Sequence, residues 1–79
     1  LVTVRLRDYA ARLAQERRWH PTQEVKVLDG RGEHVELCFE AGALEEVVRW
    51  VLSFGSKARV IGPPELKRLV REEVRRMGA

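Results

Sequence analysis

At 79 residues and a formal net charge of +3, the chain fits one small domain with a single core, since a domain of this size buries only about 60% of the surface its unfolded chain exposes. Its 44% hydrophobic and 34% charged residues are ordinary for a soluble globular protein, and no apolar run nears the ~20 residues of a membrane span. The lone Cys38 excludes an internal disulfide framework and a Cys-rich zinc site, which fits a reducing, cytoplasmic setting.

The opening LVTVRLRD carries no initiator Met and no basic-then-apolar leader, and reads as a piece of a longer protein. Val2, Val4 and Leu6 alternate with Thr3, Arg5 and Arg7, the period of a half-buried strand. Asp8 is placed to cap a helix over YAARLAQERR, residues 9–18, with Tyr9 or Ala10, Leu13, Ala14 and the stem of Arg17 on one face. That helix should end near RWHP, because a residue before proline is pushed out of helical geometry.

QEVKVL and HVELCFE both alternate around DGRGE, whose Asp-Gly pair and second Gly suit a hairpin turn. Val25 and Val27 are expected to face the core with Val35, Leu37 and Phe39. From Ala43 to Phe54 the apolar residues Leu44, Val47, Val48, Val51 and Leu52 recur at helical spacing, Glu45 and Glu46 suit the N-terminal end, and Gly55 is a natural stop. A short strand, ARVIG, follows. Pro63 and Pro64 then start a last helix with Leu66, Leu69, Val70, Val74 and Met77 in one stripe.

The order strand, helix, strand, strand, helix, strand, then an added C-terminal helix predicts an α+β domain. The expected form is the ferredoxin-like βαββαβ arrangement: a four-stranded antiparallel sheet in the order 4-1-3-2 with two helices on one face.

Enzymatic chemistry finds little support. His34 and Cys38 lie four strand positions apart, about 13 Å, too far for a thiolate-imidazole pair along one strand. Two histidines without His-x-x-x-His or Cys-x-x-Cys spacing do not make a metal site. FGSK follows a helix and precedes a strand, the reverse of a phosphate-binding loop. No catalytic residue, metal or cofactor is therefore expected. The outward residues of the first and third strands, Thr3, Arg5, Arg7, Glu36, Cys38 and Glu40, include no aromatic on which a nucleic-acid base could stack.

Charge is uneven. Residues 24–46 hold seven acids against Lys26 and Arg31, a balance of −5, so the remainder carries +8. In the expected strand order, Arg5, Arg7, Lys57 and Arg59 form a basic half of the open sheet face, a candidate surface for a partner or an anionic ligand. Glu24, Glu36 and Glu40 form an acidic counter-surface. The plain alternative is a solvated face with cross-strand ion pairs. Trp19 and His20 are an apolar anchor at the helix end and a candidate contact with a neighbouring domain.

ERRWHPTQ, the DG hairpin, WVLSFG and VIGPPEL together resemble the C-terminal extension, or WCX domain, of WYL-domain transcriptional regulators of bacteria. The resemblance covers almost the whole chain, residues 1–79 forming a single such domain. It implies a DNA-binding regulator whose helix-turn-helix and WYL segments are not in these residues, and whose effector is a nucleic acid or nucleotide. It further implies a non-enzymatic role in dimerisation and in coupling effector sensing to DNA binding, with the WYL domain of the same or partner chain as neighbour. A homodimer through the sheet face or the C-terminal helix is the expected assembly. The alternative is a freestanding ligand-binding or single-strand nucleic-acid-binding domain of the same fold.

Overall fold

A computed structural model describes residues 1–78. The elements run β1 (Val2–Arg7), α1 (Tyr9–Glu16), β2 (Glu24–Val27), β3 (His34–Phe39), α2 (Leu44–Leu52), a 3-10 turn (Gly55–Lys57), β4 (Ala58–Gly62) and α3 (Pro64–Gly78). The four strands form one antiparallel sheet in the order β2-β3-β1-β4. Val2 lies opposite Phe39 and Leu6 opposite Val35, so the inward residues of the two central strands share a face.

That face carries Val2, Val4, Leu6, Val35, Leu37, Phe39 and Val60, covered by Ala10, Ala11 and Ala14 of α1 and by Val47, Val48 and Val51 of α2. The alanines let the α1 backbone lie close over the sheet, while the valines of α2 fill the space beside it. Alternation in β1 and β3 and helical spacing in α2 each place their apolar residues toward this one layer.

Four expectations are corrected. Asp8 does not cap α1: it sits at φ 54°, makes no side-chain cap bond, and its carboxylate takes the Lys57 ammonium at 2.9 Å instead. α1 ends at Glu16 rather than running on through Arg18, because Arg17 is already extended. The following loop is organised by Gln23. Its Oε1 accepts from the backbone N–H groups of Trp19 (2.6 Å) and His20 (3.3 Å), and its Nε2 donates to the Arg17 carbonyl (3.1 Å). One amide thus satisfies groups left open at the helix end.

Third, Val25 and Val27 are not core residues: they pair with Leu37 and Val35 on the core side but remain 37% and 47% exposed. β2 is one of the sheet's two outer strands, and only the end of α1 flanks it, Ala14, Gln15 and Glu16 lining a depression with Val25 and Val27. Fourth, α2 stops at Leu52 rather than Phe54, and Gly55, at φ 59°, opens the 3-10 turn, a conformation that costs an L-residue about 1–2 kcal/mol.

β4 occupies the segment expected for it. α3 starts as the prolines suggest, with the Pro63 carbonyl accepting from the N–H groups of Leu66 (3.0 Å) and Lys67 (3.2 Å). Its apolar stripe is covered only at the start. Leu66 is fully buried and Leu69 and Val70 pack partly against the core, whereas Val74 and Met77 are 52% and 70% exposed.

Candidate interaction surfaces

Strand alternation brings Arg5, Arg7 and Arg59 to the open face at one end of the sheet, and the 3-10 turn delivers Lys57 beside them. The four line a surface depression of ≈ 630 Å³ together with His34 and Asp29. Arg5 stands opposite Arg59 on β4 and Glu36 on β3, and its Nε donates to the Glu36 carboxylate at 3.2 Å. Arg7 donates to the Ser56 carbonyl at 3.2 Å. Lys57 is held by Asp8. Arg59 has no ion pair with a carboxylate among the described residues.

Two carboxylates at this end are held below the ordinary carboxylate range. For Asp8 the leading cause is the hydrogen bond from Lys57, opposed by desolvation. For Asp29 it is the His34 side chain, at 3.2 Å, aided by the N–H groups of Glu33 and His34. A carboxyl whose folded pKa is depressed adds stability above its unfolded value of 3.8. That stability is lost as pH falls through the folded value. Asp8→Asn should therefore lose less stability than the parent chain between pH 6 and pH 2.5, read as the shift in urea midpoint. Equal losses would assign the acid sensitivity elsewhere. Both pairs are partly exposed, so added salt should shrink the difference.

The acidic residues are spread along the rest of the open face. Glu36, paired with Arg5 and opposite Lys26, belongs to the centre of the face. Glu24 and Glu40 flank a separate depression of ≈ 470 Å³ at the far end, with Thr22 and Cys38. The open face thus grades from basic to acidic through cross-strand pairs.

Trp19 and His20 anchor the α1–β2 loop on an aromatic cluster. Trp19 meets Trp50 (ring centroids 6.1 Å) and Phe54 (5.9 Å) edge to face, and Trp50 meets Phe39 (5.6 Å) and Phe54 (5.2 Å) likewise. His20 lies over Phe39 at 5.3 Å, its Nδ1 held 2.9 Å from the Thr22 hydroxyl. The indole N–H groups of both tryptophans are buried without a conventional acceptor. Trp19 is therefore mainly an internal anchor. Trp50 was not singled out from the sequence, although Trp50 and Phe54 stand four residues apart, a spacing that puts side chains on one helical face.

Among the described residues no helix is long and apolar enough to cross a membrane. No curated protein matches the chain. The family model described as the WCX domain matches residues 1–78. With this match spanning nearly its whole length, the chain belongs to the WCX domain family.

Proposed function

We propose that this domain is a non-enzymatic C-terminal module of a cytoplasmic, WYL-type DNA-binding regulator, serving assembly and the relay of effector sensing to DNA binding. Its frame is ferredoxin-like, in keeping with a strand order that reads β4-β1-β3-β2 from the β4 edge. The observation that carries the role is α3: its first turns are clamped to the domain through Leu66, while Val74 and Met77 stand uncovered at its far end. A helix anchored at one end and carrying two exposed apolar side chains among charged neighbours at the other is suited to dock on a neighbouring domain or subunit. Arg5 and Glu36 already satisfy each other, which favours α3 over the sheet face as that surface.

In the regulator carrying this domain, Val74→Asp with Met77→Asp should leave the fold intact, since exposed sites usually tolerate change within about 0.5 kcal/mol. It should also abolish the effect of effector on operator affinity. An unchanged effector response would overturn the role. So would a gene whose coding sequence starts just before Leu1 without helix-turn-helix and WYL segments.

The basic depression favours a second reading, in which Arg5, Arg7, Lys57 and Arg59 help hold an anionic effector. Arg59→Glu should then weaken binding of a short oligonucleotide to the regulator and lower its salt dependence. Unaltered binding would exclude it.

A further inference from the structure

We propose that β2 pairs antiparallel with the β2 of a second copy, about a two-fold axis at Val25, joining two sheets edge to edge. The inference rests on the assembly reading above and adds the place and register of one contact.

The two sheet edges differ. β4 ends at Gly62 and leads directly into Pro63 and Pro64, and its pairing with β1 is irregular between Thr3 and Val4; prolines and irregularities blunt an edge. β2 has neither, and all four of its residues are exposed. The Leu28 N–H donates to the His34 carbonyl at 2.8 Å, in line with the register pairing Lys26 with Glu36. Because an antiparallel ladder alternates, Glu24, Lys26 and Leu28 turn their backbone groups toward β3, and Val25 and Val27 turn theirs to the open edge.

Antiparallel pairing of identical edges needs a two-fold perpendicular to the sheet, which keeps each residue on its own face. Two registers then overlap three residues of this four-residue strand. One sets Lys26 against the partner's Lys26 at the position where side chains come closest, and like charges directly opposite are unfavourable. The other sets Val25 against the partner's Val25, where the outward backbone groups can exchange two hydrogen bonds. In that register Glu24 faces the partner's Lys26, and Lys26 the partner's Glu24. The charges thus select one register, and the half-exposed valines continue as an apolar row across the axis. So short a strand pair falls well below the ~1,000 Å² of a stable interface, so the contact sets register within a larger assembly, where linkage raises its effective concentration.

The test is disulfide trapping in a Cys38→Ser background, in the isolated chain and in the regulator that carries it. Val25→Cys should cross-link two copies at least several-fold faster than Lys26→Cys or Val27→Cys, since mutually bonded partners stand about 5.5 Å apart at Cα, within disulfide reach. Adding Glu24→Lys or Lys26→Glu alone should slow the Val25→Cys reaction. Mixing the two charge variants should restore it between unlike copies. A regulator that is dimeric but shows no preference for Val25 overturns the β2 contact and leaves the assembly reading standing. A regulator that stays monomeric at all concentrations overturns both.

Discussion

Trp50→Ala should lower stability by about 2–4 kcal/mol, somewhat less than the ~3–5 of a fully buried aromatic, because Trp50 packs partly buried against the core. For a chain of this length the total is about 4–12 kcal/mol by the per-residue rule, so the variant should lose a large share of it. The size of the effect follows from position. Trp50 touches Trp19, Phe39 and Phe54, so its removal unties the α1–β2 loop, the end of β3 and the C-terminal part of α2 together. Trp50→Phe should cost less than half as much, because it keeps an edge-to-face ring and deletes an N–H that has no conventional acceptor. Urea midpoints followed by far-ultraviolet circular dichroism decide the matter. A loss under about 1 kcal/mol for Trp50→Ala would show that the cluster is not a unit of stability.

The second large effect is expected at Leu66, the one α3 residue in the fully buried core. Leu66→Ala should cost about 2–5 kcal/mol, the usual span for a buried leucine. Its distinguishing mark should be where the loss appears. Leu69 and Val70 are only partly covered and Val74 is exposed, so beyond Leu66 α3 is held by its packing along α2 and β4. Amide hydrogen exchange should accelerate along α3 while β1 and β3 keep most of their protection. Equal acceleration in helix and sheet would mean that α3 is fused to the core, and would remove its suitability as a separately moving relay.

Much of this architecture was readable in advance where local patterning and burial agree. The alternation of Val2, Val4 and Leu6 and of Val35, Leu37 and Phe39 marks central strands buried on one side, and Gly55 and the proline pair mark real breaks in the chain. What could not be read depends on position in the sheet or on contacts between distant segments. Val25 and Val27 alternate as regularly as Val35 and Leu37, and only the place of β2 at the edge leaves them in water. Asp8 has the chemistry of a helix cap, but Lys57, 49 residues on, draws its carboxylate away. Gln23 ties two backbone stretches through one side chain, a role that no hydropathy pattern encodes. The basic cluster was legible because alternation alone sets Arg5, Arg7 and Arg59 on a common face. Its hydrogen-bonding partners, the Ser56 carbonyl and the Asp8 carboxylate in turns and Glu36 on a neighbouring strand, were less so.

Both tryptophans of the chain lie in the single aromatic cluster where the α1–β2 loop meets α2. Tryptophan fluorescence is therefore a local gauge of that corner. Ellipticity at 222 nm, by contrast, draws heavily on α3, the longest helix at 15 residues. The two signals recorded on one sample would separate release of the C-terminal arm from collapse of the domain, without any label being attached.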